Sequence, residues 1–139
     1  VTDHVKLAER LGLDGVHLSD AARSVRDARK ALGADAIVGS FCGTSRHDGM
    51  TAGEAGADYV SFGPVGASTL GDGAQADHEI FEWWSEMIEV PVVAEGNLDA
   101  DTVRTLAPVT DFFAVGEEIW GAEDPLAALS ALRAAWTTA

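Results

Sequence analysis

Basic residues are scarce in this sequence. Nine Lys and Arg stand against 23 Asp and Glu, for a formal net charge of −14. A chain of that sign repels nucleic-acid phosphates and anionic membrane surfaces, so neither is expected as a partner. The shortage is also uneven, because Arg46 is the only Lys or Arg between Lys30 and Arg104. An anion bound along that stretch must be held mainly by backbone N–H groups, hydroxyls or a metal ion. Cysteine is almost missing. Cys42 stands alone, which excludes an internal disulfide and fits a reducing compartment. No apolar run approaches the roughly 20 residues of a membrane span. No basic segment leads into an apolar one as in a secretory signal. The expectation is a cytoplasmic protein. Aromatics make up only 7% of residues, but 47% are hydrophobic, an ordinary globular share. The chain starts at Val1 rather than Met, as a fragment, a trimmed chain or a processed one would.

What is present is an alternation of two periodicities. Residues 2–12 carry Val5, Ala8 and Leu11 at helical spacing, with Gly12 to close the helix. Asp14 to Leu18 is a short apolar strand. Residues 20–32 predict a second helix with Asp20 as N-cap and Val25, Ala28 and Leu32 on one face. Asp35 to Cys42 is a buried strand, Ser45 to Ala55 a short helix, and Ala57 to Gly63 a third strand. A Gly- and Ala-rich loop follows from Pro64 to Ala76, and irregular stretches of that length tend to carry function. Then come a helix over 77–89, a strand over 90–97, a helix over 99–107 with Asp99 as N-cap, and a strand over 111–116. Asp124 caps a last helix with Pro125 in its first position, and that helix runs to about Trp136. No linker interrupts the pattern, so residues 1–139 form a single domain. The short, continuous apolar strands are those of a parallel sheet. Alternation alone leaves an open doubly wound sheet and a closed barrel both in play.

The strands end in unusual residues. DGVHL runs into Ser19–Asp20, IVGS into Phe41–Cys42–Gly43–Thr44, and FGP into the long loop. VVAEGN ends in Gly96–Asn97, and FAVGEE in Gly116 and two acids. Parallel α/β folds bind ligands at the carboxyl ends of their strands, and small residues there let backbone amides approach a phosphate. Taken singly, each glycine reads as a tight turn. Their recurrence after four of five strands points to a site.

Taken in order, these strings resemble the thiamine phosphate synthase and thiazole tautomerase family. The resemblance rests on LDGVHLSD at 13–20, IVGSFCGT at 37–44, GADYVSFGPVGAST at 56–69, PVVAEGNL at 91–98 and FFAVGEEI at 112–119. It implies part of a TIM (βα)8 barrel, strands four to eight with their helices, with the first three strands outside this sequence. A barrel usually needs about 250 residues, so 139 would be its C-terminal portion. An isolated remnant would leave two parallel sheet edges unpaired. The implied reaction joins hydroxymethylpyrimidine diphosphate to a thiazole phosphate, giving thiamine phosphate and pyrophosphate, with Mg2+ neutralising the leaving group.

Carried over residue by residue, the resemblance makes Asp3 a Mg2+ ligand. The bland alternative is that Asp3 caps the first helix. The family's second metal Asp falls on Ala22, and Asp20 could replace it or could serve only as a helix cap. The Ser and His after the family's fifth strand fall near Cys42 and Thr44, which become the catalytic candidates. Cys42 also reads as a small buried apolar residue. Ser40, Ser68, Thr69, Gly96, Asn97, Gly116 and Glu117 fall on phosphate-binding positions. The lysine that meets pyrophosphate in the family is absent, with Leu70 and Gly71 in its place. Glu117 stands where a hydroxyl is expected, and a carboxylate there would repel a phosphate unless it points away. His17 reads as packing, while His47 beside Arg46 could meet an anion. Trp83, Trp84, Trp120 and Trp136 read as core or interface residues, and a homo-oligomer is left open. Two alternatives accompany the synthase reading. One is a thiazole tautomerase, and the other a non-catalytic paralogue that binds a phosphorylated small molecule.

Overall fold

The computed structural model describes residues 1–67 and 73–139. Among these residues five parallel strands, β1 Gly15–Leu18, β2 Ile37–Phe41, β3 Tyr59–Phe62, β4 Val92–Glu95 and β5 Phe112–Ala114, alternate with helices. Among the described residues there are seven helices: α1 Val5–Leu11, α2 Val25–Leu32, α3 Arg46–Ala55, α4 His78–Met87, α5 Ala100–Leu106, α6 Glu117–Trp120 and α7 Pro125–Thr137. The strands pair in chain order, β1-β2-β3-β4-β5. A doubly wound sheet reverses its strand order at a switch point, and no reversal occurs here.

The period of two along each strand divides the sheet into unlike faces. Val16, Leu18, Val38, Val60, Phe62, Val92 and Ala94 point to one side. There they form the core with Val25 and Ala28 of α2, Ala52 of α3, Phe81 and Trp84 of α4 and Leu106 of α5. Phe62 meets Phe81 and Trp84 edge to face, at ring separations of 5.9 and 5.2 Å. Trp84 Nε1 donates to Val90 O at 2.8 Å, so the largest core side chain keeps its polar atom satisfied. The opposite face carries His17, Gly39, Tyr59, Ser61, Val93, Glu95 and Phe112, in register across the strands. Before α1, Thr2 makes a parallel bridge to His17 on the outer edge of β1, and His17 N donates to Val1 O at 2.9 Å.

Helix starts follow the predicted caps at Asp99 and Asp124, and Asp77 caps α4 in the same way. Each carboxylate accepts from the backbone N–H three residues on. Two starts differ. The helix predicted from residue 20 begins at Val25, with Ser24 as its N-cap residue. Asp20 Oδ2 accepts from Ser24 Oγ at 2.5 Å, and that local bond holds residues 21–24 in turns. The first helix begins at Val5 rather than at residue 2, because residues 1–3 run along β1 instead. Short helix α6, unforeseen in the sequence, follows β5 directly. No described helix is long and apolar enough to cross a membrane.

Candidate active site

The carboxyl ends of the strands carry the predicted residues, and the structure gathers them into three groups. At the end of β1, Asp3 sits in the left-handed region at φ 58°. Its N–H donates to His17 O at 2.9 Å, and its carboxylate accepts from Ser19 N at 2.8 Å and from Ser19 Oγ. Those two bonds hold the Asp3 carboxyl below its ordinary value of 3.8, so it is an anion at neutral pH. Asp3 therefore does not cap α1; its side chain is turned to the end of β1. Asp20, one residue beyond Ser19, bonds Ser24 through Oδ2 and leaves Oδ1 buried with no partner. Ala22, at the position of the family's second metal Asp, packs against the core.

At the end of β2 the predicted residues separate. Ser40 faces the helices, is fully buried and donates to Ala21 O. Cys42 is 3% exposed, and burial pushes its thiol up to about 11, despite a contact with Ser40 that acts the other way. A neutral buried thiol is a poor nucleophile. Thr44 is exposed, in a turn before α3, where Ser45 Oγ accepts from Asp48 N at 3.1 Å. Arg46, in the first turn of α3, lies 4.2 Å over the Trp83 ring. Thr44 and Arg46 line one shallow recess with Asp77 and Glu79.

Beyond β3, Gly63 approaches so closely that a Cβ there would lie 2.4 Å from Glu95 O. Val65 N and Gly66 N both donate to Gly96 O, at 3.1 and 3.0 Å, which joins this turn to the end of β4. Ser68 and Thr69 lie outside the described residues.

The third group lies between β4 and β5. Glu95, Gly96, Asn97, Gly116, Glu117 and Glu118 line a recess of about 270 Å³. Gly96 and Asn97 turn the chain at φ 91° and 56°. Glu118 Oε1 accepts from Gly116 N at 2.9 Å. Glu117 instead bends toward the far end of α6, where a Cβ on Gly121 would lie 2.8 Å from its Oε2.

The open face of the sheet adds residues that the strand-end strings passed over. Tyr59 Oη and His17 Nδ1 are 2.7 Å apart across β2, and the two rings stack at 17°. Gly39 makes this possible, since a Cβ there would lie 1.8 Å from the Tyr59 ring. Burial, and then the charge of Glu95, raise the Tyr59 hydroxyl above its ordinary value of 10.0. Strand alternation alone would have placed His17, Tyr59 and Glu95 on one face. Among the described residues no three or more His, Cys, Asp or Glu converge to hold a metal. A larger groove, about 510 Å³ between α5 and α7, is lined mainly by the apolar side chains of Val103, Phe113, Leu129, Leu132 and Trp136, with Arg133 and Thr137 beside them.

Residues 1–119 match the family described as thiamine monophosphate synthase. A thiamine-phosphate synthase of Rhodospirillum centenum is 47% identical over 124 residues, covering 86% of this chain and 59% of its own length. That of Erythrobacter litoralis is 43% identical over 128 residues, 89% of this chain and 60% of its own. The structure of a thiamine phosphate pyrophosphorylase from Pyrococcus furiosus superposes with a TM-score of 0.84 at 28% identity. It covers 99% of this chain and 66% of that one. The chain thus spans about three fifths of the length of these curated relatives.

Proposed function

We propose, for a chain that belongs to the thiamine monophosphate synthase family, that the whole protein joins hydroxymethylpyrimidine diphosphate to a thiazole phosphate. The C–O bond to the diphosphate breaks with its electron pair leaving on pyrophosphate. The thiazole nitrogen supplies the pair for the new C–N bond, and thiamine phosphate results. The reaction asks for charge neutralisation and positioning more than for a strong base. The observation that carries this reading is the continuous family match over residues 1–119, which takes in the strand-end turns of all five strands.

The residues are read in these roles. Mg2+ is commonly held by one or two carboxylates together with substrate phosphates. Asp3, ionised and fixed by Ser19, supplies one carboxylate, and Asp20, bonded to Ser24 through Oδ2 with Oδ1 buried, is the second candidate. Mg2+ bound there would neutralise the diphosphate. Thr44 donates a hydroxyl from the rim beside Arg46. Gly96, Asn97 and Gly116 shape the β4–β5 end, where small residues and backbone N–H groups receive a phosphate. Ser68 and Thr69 take the pyrophosphate-facing role that the resemblance gives them. Ser40 and Cys42, buried on the helix side, act as supports beneath the site rather than on the substrate. The tautomerase alternative needs an acid/base group at the end of β2. Thr44 stands at the matching position and has no group that titrates near neutrality, and the Cys42 thiol two residues before it, pushed up to about 11 by burial, opposes that role as well.

The same reading makes residues 1–139 one domain and the C-terminal portion of a cytoplasmic (βα)8 barrel, its strands four to eight. Three observations support it: the unreversed strand order, the parallel bridge of Thr2 to β1, and the open outer edge of β5, where Phe112 is 56% exposed. The test is thiamine phosphate formation by the whole protein from both substrates with Mg2+. Product that disappears on chelation is expected. No product at high enzyme concentration would sink the reading.

A further inference from the structure

We propose that the basic face of α1 and α2 docks a second copy of this chain through the acidic face of α4. The charge of the sequence is divided along its length. Residues 1–35 hold six Lys and Arg and six Asp and Glu, whereas the residues after them hold three and 17. Five of those six cations are exposed: Lys6 and Arg10 on α1, Arg23 just before α2, and Arg26 and Lys30 on it. The two helices pack against each other, so the five share one surface, in which Glu9 and Asp27 are the only acids the helices contribute. The ion pairs among the described residues are Arg29 with Asp58 and Arg104 with Asp101, so none of the five is matched within the chain.

The complementary surface is on the same molecule. Helix α4 has no Lys or Arg, and its Glu79, Glu82 and Glu86 are exposed at a spacing that puts them on one face. Glu82 and Glu86 are four residues apart, as are Arg26 and Lys30. The heights agree as well. Helices α2 and α4 lead into β2 and β4 of one parallel sheet, so both run toward its amino end. Lys30 stands two residues before the end of α2, and Glu86 one residue before the end of α4. Two copies side by side, with their strands parallel, therefore bring Arg26 to Glu82 and Lys30 to Glu86. At the amino end of the sheet Leu11 closes α1 at 60% exposure and Met87 closes α4 at 64%, an apolar residue on each surface at matching height. Within one copy α3 lies between α2 and α4, which keeps the rows apart. A nucleic acid or an anionic membrane would also suit the basic face, but the net charge of −14 opposes both. The contact joins unlike faces, so each copy keeps one of each kind for the next.

Exposed ion pairs are individually weak, so the association belongs to concentrated protein, about 100 μM. The test is sedimentation equilibrium of the whole protein at that concentration. Wild type is expected to gain in weight-average mass by about twofold or more between about 1 M and about 0.01 M NaCl, as the screening length grows from about 3 to about 30 Å. Arg26→Glu with Lys30→Glu should abolish the gain, and so should Glu82→Lys with Glu86→Lys. An equal mixture of these two double variants should regain it, because every contact between unlike partners again pairs opposite charges. A wild-type mass that does not change with salt would overturn the proposal. So would a gain that survives either double variant, or a mixture that shows none. A wild type that stays monomeric while binding phosphatidylglycerol vesicles would assign the basic face to another occupant and overturn it too. If a double variant fails to fold, Lys30→Glu and Glu86→Lys decide singly. Each should weaken the association by at least about threefold, and an unchanged constant in both overturns the proposal.

Discussion

The two ends of the sheet use their carboxylates differently. At the amino ends, Asp58 Oδ2 accepts from Val38 N at 2.8 Å and from Arg29 Nη2 at 2.6 Å. Arg29 also donates to Ala36 O at 2.5 Å and to Gly56 O at 2.8 Å, tying α2 to the starts of β2 and β3. Asp111 repeats the device two strands along, accepting from Val92 N at 2.9 Å. These acids are committed to backbone that the sheet leaves unpaired. At the carboxyl ends Asp3 is bonded yet exposed, Asp20 keeps one oxygen unpartnered, and Glu118 folds back onto its own turn. In folds built on parallel strands the amino ends serve stability and the carboxyl ends serve chemistry. The charges here are divided that way.

The division can be tested by mutation. The largest effect on stability is expected from Asp58→Ala. It leaves the Val38 N–H and the Arg29 guanidinium without their acceptor. Asp58 is partly solvated, so the cost should be about 1–3 kcal/mol. Denaturant unfolding would measure it, and substrate affinity should not change. A substrate affinity that fell with it would break the comparison. Gly39→Ala comes next. Its Cβ collides with the Tyr59 ring, separating Tyr59 from His17, and overpacking of this kind costs about 1–3 kcal/mol. Unlike Asp58→Ala, it acts on the open face, so it should also disturb ligand binding.

Asp99→Ala removes the N-cap of α5 and should cost about 1 kcal/mol. Backbone and side-chain bonds to Thr102 hold the Asp99 carboxyl below its ordinary value of 3.8. The stabilisation is therefore present above that value and lost as pH falls through the lower folded value. Titrating unfolding from pH 5 to pH 2 in wild type and Asp99→Ala would show the difference between them vanish in acid. The smallest effect belongs to Cys42. Its folded thiol titrates at about 11 against an ordinary 9.0. Its contribution is fully present below about pH 9 and is lost as pH rises toward 11. Alkylation of the native protein at pH 8 should be slow, and fast labelling would contradict the buried placement.

Much of this division was legible in the sequence. Asp99 and Asp124 read as helix caps because an acidic residue stood before each apolar helical pattern, and they cap as expected. The strand-end strings located the rim. What escaped depended on contacts between distant residues. Asp20 looked like a cap, but its bond to Ser24 delays the helix to Val25. Asp3 looked like a metal ligand or a cap, and its attachment to Ser19 across the end of β1 needed the fold to be seen. The His17–Tyr59 pair spans β2, and Gly39 is recognisable as the gap between them only once the register is fixed. Helix α6 is four residues long, too short for a periodicity to announce it.

The proposed role of the carboxyl end of β1 is to hold the diphosphate through Asp3 and Mg2+. Calorimetric titration of the whole protein with hydroxymethylpyrimidine diphosphate and Mg2+, comparing wild type with Asp3→Asn, tests it most directly. The account predicts an affinity at least about tenfold weaker in the variant, with a thermal midpoint close to that of wild type. An unchanged affinity would contradict it.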